Sequence, residues 1–220
     1  MTTAPPLLAM IRSRLVRFAR WLLPSTRRRI AAWEFREGLA FLQKLSIRPG
    51  SVVLDFGSGP GHYSVPAARV VGQRGLVCAV ERGIFRRLRL AVRASVLGLP
   101  TLHVRSNLRT VPALLGGRKC SVILLYDVLH FMDASARRAL YADLRAVLAA
   151  DGILSVHPKH VRDNMPALHF QDMSVEDVAR EIEEAGFTLR ARLDCTVWHD
   201  LDIVPGIILN FELKGGDSTR

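Results

Sequence analysis

The sequence predicts a doubly wound α/β fold, in which helices cover both faces of one mostly parallel sheet. Two observations carry this prediction. Apolar strand-like runs alternate with helix-like segments along most of the chain, an order typical of parallel sheets with helical crossovers. The last two strand-like runs are joined by a short connection, which cannot form a parallel crossover and therefore predicts an antiparallel hairpin.

The predicted elements begin at about residue 51 and follow one another in a regular order. Parallel strands are expected over 51–56, 76–81, 101–105, 121–126 and 152–157. Helices are expected over 61–71, 84–97, 134–149 and 174–185. The hairpin is expected over 187–197 and 204–213, at one edge of the sheet.

Length and composition indicate one globular domain with an extension. The chain has 220 residues, of which 49% are hydrophobic, enough for a sizeable core. We divide it into an N-terminal extension, 1–47, and a domain, 48–220. The three cysteines are far apart, so neither a disulfide framework nor a Cys-x-x-Cys metal site is indicated, and we expect a cytoplasmic protein. No apolar run reaches the roughly 18 residues needed to span a bilayer.

The first 33 residues contain no acidic side chain and predict a cationic amphipathic helix that ends at Pro24. Its apolar stripe includes Leu7, Ile11, Leu15, Phe18 and Leu22. Three interpretations are open: a helix that covers the domain, a peripheral anchor on an anionic membrane surface, or a targeting segment. A second helix, with an N-cap at Ser25 or Thr26, is expected to lead to a turn at Pro49 and Gly50.

The formal net charge of +11 is carried by the first 160 residues, whereas residues 161–220 are acidic overall. Only four of the 31 basic residues are lysine, a bias that does not by itself indicate phosphate recognition. The basic stretches also lack interleaved aromatic side chains on which bases could stack. The sequence therefore disfavours nucleic acid as a partner.

A glycine-rich loop follows the first predicted strand, in the stretch VLDFGSGPGHY. In an open α/β sheet, a ligand binds beyond the carboxyl ends of the strands, next to such a loop. A dinucleotide fingerprint would place its last glycine at His62, and Asp55 would repel a pyrophosphate. The loop therefore favours a ligand with a cationic group over a dinucleotide.

This loop and its neighbours resemble motif I of the class I S-adenosylmethionine-dependent methyltransferases. The resemblance covers about residues 48–215 and is closest to a family of small bacterial and archaeal methyltransferase-domain proteins. It includes the stretches SVPAARVVG, VCAVER, VILLYDVLHFM and LRAVLAADGILSVHPKH, in that order. It implies a Rossmann-like, seven-stranded methyltransferase sheet, S-adenosylmethionine as cofactor and methyltransferase activity.

The resemblance also implies cofactor-binding residues. Asp55 suits the α-amino group of the cofactor, and the bare backbone of Gly57, Gly59 and Gly61 lets the methionine part lie close. Glu81, 26 residues after Asp55, has two oxygens for the two ribose hydroxyls. Similar enzymes have an acidic residue after the third strand that binds the adenine amino group, where this chain offers Asn107. Tyr126 is expected to pack on the cofactor.

Candidate catalytic residues follow the fourth strand. We expect Asp127 to line the methyl-transfer site and His130 to act as a base. A second loop, HPKH, carries His157, Lys159 and His160, but it contains no acidic or cysteine partner, so no metal site is predicted.

The methyl acceptor is narrowed by motifs that the chain lacks. The Pro-Pro-aromatic sequence of amino-directed DNA methyltransferases does not occur after the fourth strand. The Pro-Cys pair that carries the nucleophilic cysteine of C5-pyrimidine methyltransferases does not occur either. A small-molecule or lipid-like acceptor is the main expectation, and a protein or RNA acceptor stays open. The alternative function is a non-catalytic module with the same fold that binds the cofactor, a membrane or a partner.

Overall fold

The structure is a computed structural model that describes residues 23–215. The predicted amphipathic helix of the first 22 residues lies outside these described residues. The chain begins with helix α1 (Pro24–Ala32), a π-helical turn (Trp33–Glu37) and helix α2 (Gly38–Lys44).

Strands and helices then alternate. Their bounds are β1 (Val52–Phe56), α3 (Ser64–Val71), β2 (Leu76–Val80), α4 (Ile84–Val96), β3 (Leu102–Arg105), α5 (Val111–Leu115), β4 (Cys120–Tyr126), α6 (Ala134–Val147), β5 (Leu148–His157), α7 (Val175–Glu184), β6 (Phe187–His199) and β7 (Asp202–Leu213). Short 3₁₀ turns occupy Leu108–Thr110, Leu129–Phe131 and Leu168–Phe170.

The seven strands form one sheet in the order β3-β2-β1-β4-β5-β7-β6. The first five strands of the chain pair in parallel, whereas β7 is antiparallel to both β5 and β6. The predicted fold class is therefore confirmed, including the terminal hairpin at one edge. The order reverses between β1 and β4, so the crevice beside the glycine loop lies at the topological switch point where α/β sheets bind ligands.

Each face of the sheet has its own hydrophobic core. One core contains apolar side chains of α5, α6 and α7, such as Leu115, Leu144 and Ile182. The other contains side chains of the N-terminal helices, α3 and α4, such as Leu42, Val71 and Leu90. The described part of the predicted extension thus packs on the sheet, and its division from the rest of the chain at residue 48 stays a prediction.

Several predicted boundaries are off by a few residues, and two of them have a clear structural reason. Helix α1 is not capped by Ser25 or Thr26: Leu23 is the N-cap, without a side-chain hydrogen bond, and Pro24 lies in the first turn, where its missing N–H costs nothing. Strand β5 begins at Leu148, earlier than predicted, because an irregularity in its pairing with β4 lets the chain enter the sheet directly from α6.

None of the helices among residues 23–215 is both long and apolar enough to cross a membrane. The three cysteines, all within these residues, are free.

The loop between β1 and α3 is tied to its neighbours by backbone bonds and by close packing. The N–H groups of Gly57 and Ser58 both donate to the carbonyl of Val80, at 2.8 and 3.0 Å. Gly57 and Gly61 have φ angles of +80° and +91°, which side chains rarely adopt. A Cβ atom at Gly61 would lie 2.2 Å from Cδ1 of Leu90, so a side chain there would force this buried leucine of α4 to move.

We expect Gly61→Ala to lower the free energy of unfolding by about 2–4 kcal/mol, because it adds a clash with Leu90 to the strain of a positive φ. Gly98→Ala is a matched control: Gly98 also has a positive φ, +63°, but a Cβ there meets nothing within 4 Å. This control should cost about 1 kcal/mol, the strain alone. Denaturant unfolding measures both changes, and equal losses would contradict the packing argument.

Candidate active site

Asp55 lies near the carboxyl end of β1, beneath the glycine loop, and its side chain is buried. The hydroxyl of Ser64, the first residue of α3, donates to Oδ2 of Asp55 at 2.5 Å. The pKa of Asp55 is raised to about 6, chiefly by burial; the Ser64 hydrogen bond lowers it in part, and the negative charge of Glu81 adds to the increase. A cation that arrived beside Asp55 would favour the ionised carboxylate.

Glu81 follows β2 and accepts hydrogen bonds from two backbone N–H groups, one of them in the glycine loop. Its Oε2 accepts from the N–H of Gly59 at 3.0 Å, and its Oε1 accepts from the N–H of Gly83 at 2.6 Å. Each carboxylate oxygen can accept a second hydrogen bond. Glu81 is therefore held in place and still has acceptor capacity toward the crevice.

The other two predicted cofactor residues lie in different surroundings. Asn107 is on the exposed turn after β3, where its amide donates to the hydroxyl of Ser106 at 3.1 Å. Tyr126 is buried, shares a 2.7 Å hydrogen bond with Ser155 and packs edge-on against Tyr63, with ring centroids 4.7 Å apart. Their predicted contacts with a cofactor stay predictions.

Asp127 is the centre of a cluster of histidines at the carboxyl ends of β4, β5 and β6. Its Oδ2 lies 2.8 Å from Nδ1 of His199, and its Oδ1 lies 3.3 Å from Nε2 of His160 and 3.6 Å from Nδ1 of His130. Asp127 also has a φ angle of +55°, unusual for a residue other than glycine. The fold thus brings the two predicted catalytic residues, Asp127 and His130, together with two further imidazoles.

The cluster shifts the pKa values of its members in opposite directions. Burial would raise the pKa of Asp127, but His160 and His199 outweigh it and hold this pKa well below its usual range. Burial lowers the pKa of His130 to about 4, so His130 is neutral at pH 7. The nearby carboxylate of Asp127, whose Oδ1 lies 3.3 Å from Nε2, raises the pKa of His160.

The HPKH loop after β5 divides between this cluster and the core. His160 joins the cluster, whereas His157 is buried against Tyr126, with ring centroids 6.3 Å apart. Nζ of Lys159 donates to Oδ1 of Asn164 at 3.0 Å and is turned to its own loop. Of the three polar side chains that the sequence analysis noted here, only His160 contacts Asp127.

Sequence reasoning missed His199, the last residue of β6. In sequence it is distant from the other members of the cluster, and the register of the hairpin brings it to Asp127. Its position at the end of a predicted strand, after the aromatic Trp198, was the available signal.

A second missed group holds the glycine loop from the N-terminal side. Oε1 of Glu34, in the π-helical turn, lies 3.1 Å from Nδ1 of His62, and its Oε2 accepts from Arg93 at 2.6 Å. Arg93 also donates to the carbonyl of Pro60 at 2.6 Å. Burial would raise the pKa of Glu34, but His62 and Arg93 together lower it. A charged, buried carboxylate thus joins the N-terminal helices, the loop and α4.

Comparison with known proteins gives matches to methyltransferases. The model of the protein-L-isoaspartate(D-aspartate) O-methyltransferase family matches residues 37–105. A 35-residue stretch is 54% identical to the ribosomal RNA large subunit methyltransferase E of Chromobacterium violaceum, over 16% of this chain and 17% of that protein. The chain thus matches about a sixth of the length of this curated relative.

Solved structures show the same fold over most of the chain. A SAM-dependent methyltransferase from Aquifex aeolicus has a TM-score of 0.62 at 19% identity, covering 83% of this chain and 93% of that one. Aeropyrum pernix fibrillarin, solved with natively bound S-adenosyl-L-methionine, has a TM-score of 0.57 at 13% identity, covering 81% and 76%. The predicted resemblance to class I methyltransferases is confirmed, and the predicted cofactor and activity are supported.

We expect Asp55→Asn to stabilise the protein at neutral pH. The pKa of Asp55 is raised in the folded state, from 3.8 to about 6, so its ionised form destabilises the fold above pH 6, by about 3 kcal/mol at pH 7. As the pH falls from 6 toward 4, Asp55 becomes protonated in the folded state and the advantage of the amide should disappear. Thermal unfolding at several pH values measures this, with Asp151→Asn as an exposed control. A stabilisation that did not change with pH would contradict the assignment.

Proposed function

We propose that this chain is an S-adenosylmethionine-dependent methyltransferase. The observation that carries the proposal is the pair of carboxylates, Asp55 and Glu81, on either side of a glycine loop at the switch point of the sheet. This arrangement suits a ligand that has an ammonium group and a ribose diol and lacks phosphate. A dinucleotide would bring its pyrophosphate to a negatively charged site.

The proposed cofactor contacts follow from this geometry. Asp55 holds the α-amino group, directly or through water, and the loop of Gly57, Gly59 and Gly61 leaves room for the methionine part. Glu81 accepts from the ribose hydroxyls, since its bonds to Gly59 and Gly83 already fix its orientation. Asn107 accepts from the adenine amino group, and Tyr126 supports the cofactor from the core.

Methyl transfer itself requires an acceptor in line with the sulfonium. The acceptor atom attacks the methyl carbon, the bond from this carbon to sulfur breaks, and S-adenosylhomocysteine leaves. Where the acceptor must lose a proton, neutral His130 takes it and Asp127 stabilises the imidazolium that forms, their nearest atoms lying 3.6 Å apart. We therefore place the acceptor beside Asp127.

A small or lipid-like acceptor is the favoured class. The cluster around Asp127 is recessed, since the side chains of His130 and His199 are 4% and 10% exposed. A cavity of about 310 Å³ lies beside the HPKH loop, lined in part by His157, Pro158 and Arg192 but by no residue of the cluster, and has the size of a small-molecule site. This favours a compact acceptor group.

RNA is the second candidate acceptor, although the composition of the chain disfavours nucleic acid as a partner. Two observations support it. The curated relative is named as a ribosomal RNA methyltransferase, and the chain carries a net charge of +11. A net positive charge favours binding to phosphate backbones.

A cytoplasmic location and a contact with anionic membranes through the N-terminal extension stay part of this proposal. Helix α4 adds an exposed apolar strip, formed by Leu88, Val92 and Val96. Such a strip beside basic side chains is typical of surfaces that meet lipid or another helix.

We expect the full chain to bind S-adenosylhomocysteine in calorimetric titration, and Glu81→Gln to weaken this binding by about 1–3 kcal/mol, the scale of a charged hydrogen bond. Glu184→Gln, an exposed change of the same chemistry on α7, is the control and should leave the affinity unchanged. Tight binding of NAD, with no response to the methyl donor or its product, would overturn the proposal.

An acceptor screen separates the two acceptor classes. With a labelled methyl donor, we expect incorporation into the small-molecule and lipid fraction of a cell extract, and Asp127→Asn should reduce it. Label confined to RNA would favour the second candidate. Cofactor binding without transfer to any fraction would support the non-catalytic alternative.

A further inference from the structure

Three side chains that could ligate a metal converge from separate parts of the chain. Asp127 follows β4, His160 follows β5 and His199 ends β6. One ligand atom from each, a carboxylate oxygen or an imidazole nitrogen, lies within 4.8 Å of the others. In a tetrahedral zinc site with bonds of about 2.0–2.2 Å, the ligand atoms are about 3.3 Å apart. Small side-chain rotations would bring this group to that spacing.

We propose that Asp127, His160 and His199 form a binding site for a divalent transition metal ion, with Zn²⁺ as the best fit. Two imidazole nitrogens and one carboxylate are a donor set that suits Zn²⁺ and leaves a coordination position open. A hard ion such as Mg²⁺ prefers oxygen ligands, and this group offers mainly nitrogen.

The tautomer of His160 fits a metal ligand. Its Nδ1 lies 2.9 Å from the carbonyl of Met165, to which it donates its proton. In a neutral ring, Nε2 then has a free lone pair, and this nitrogen faces Oδ1 of Asp127 at 3.3 Å. Histidines that bind metals commonly donate their second N–H to a backbone carbonyl in this way, which fixes the ring.

Unpartnered polar atoms are the second, independent observation. Within residues 23–215, no hydrogen bond is made by the buried atoms Oδ1 of Asp127, Nδ1 of His130 or Nδ1 of His199. Nδ1 of His199 lies 2.8 Å from Asp127, but without the alignment of a hydrogen bond. Each unsatisfied buried polar atom costs free energy, and a cation held by Asp127 and His199 would satisfy two of these three atoms.

The alternative to a metal ion is an ion pair, in which His160 is protonated at Nε2 and bonds to Asp127. In that state a proton, and not a metal ion, lies between Nε2 of His160 and Oδ1 of Asp127. A cluster in this protonated state would not bind Zn²⁺ tightly. Titration with Zn²⁺ therefore distinguishes the ion pair from the metal site.

The position of the ion gives it a role in catalysis, and this role, though not the site itself, rests on the proposed methyltransferase activity. An ion at Asp127 would bind an acceptor hydroxyl or thiol at its open position and lower the pKa of that group. The substrate class is then an acceptor with an ionisable oxygen or sulfur. His130, whose ring centroid lies 4.4 Å from that of His160, is placed to take the proton.

The test uses the full chain without an affinity tag, freed of metal by a chelator. Titration with ZnCl₂ in competition with a chromophoric chelator should give one ion per chain, and CoCl₂ should give visible absorption bands of a site with nitrogen ligands. His160→Gln and His199→Gln should each weaken Zn²⁺ binding at least tenfold. His103→Gln, a control on β3 at the other edge of the sheet, should leave it unchanged.

Binding of S-adenosylhomocysteine to the same variants shows whether they are folded and tests the proposed function separately. If the chain binds Zn²⁺ but not S-adenosylhomocysteine, the metal site is supported and the proposed methyltransferase activity is contradicted. The ligand bound by a wild-type chain that takes up no Zn²⁺ would overturn the metal site alone. Zn²⁺ binding that falls equally in His103→Gln would also overturn it, because the ion would then be held by unrelated surface histidines.

Discussion

The buried carboxylate of Glu34 is the constraint on which the ligand side of this molecule depends. It is 2% exposed, its charge is compensated by Arg93 of α4, and its Oε1 lies at hydrogen-bond distance from the ring of His62 in the glycine loop. Removing one partner of such a group leaves an uncompensated buried charge, which costs about 3–5 kcal/mol. Since Arg93 also donates to the carbonyl of Pro60, the same guanidinium links the N-terminal helices, through Glu34, to the glycine loop. The described part of the predicted extension, residues 23–47, therefore contacts the glycine loop.

The two aspartates at the strand ends have opposite electrostatic environments. Asp55 is desolvated with a negative neighbour, and its pKa is raised, whereas Asp127 is surrounded by imidazoles, and its pKa is lowered. The first carboxylate is unfavourable until a cation accompanies it, which suits a site that is filled by ligand. The second is ionised already, which suits a permanent structural or catalytic charge. One end of the crevice thus has a carboxylate that is favoured in its ionised form only beside a cation, Asp55, and the other has a carboxylate that is already ionised, Asp127.

The sequence was enough to predict the parts of the fold that depend on local pattern. Alternating strands and helices, the glycine loop and the short link between β6 and β7 all follow from neighbouring residues. The side chains that reach the site over long sequence distances could not be predicted in this way. Glu34 contacts His62 because a π-helical turn directs two consecutive residues, Trp33 and Glu34, into the interior. His199 reaches Asp127 through the register of a hairpin, which no local spacing encodes.

The hairpin that supplies His199 is attached to the sheet in an uneven way. Only three residue pairs join β7 to β5, between 154–156 and 209–211, while β6 and β7 pair with each other along their whole length. The end that carries His199 lies beyond that attachment and is held by Tyr63, whose hydroxyl bonds to both the N–H and the carbonyl of Trp198. Changes in the length or twist of this hairpin would therefore move His199 relative to Asp127 while β1 and β2 keep their arrangement. Such a layout lets one end of the crevice diverge during evolution independently of the other.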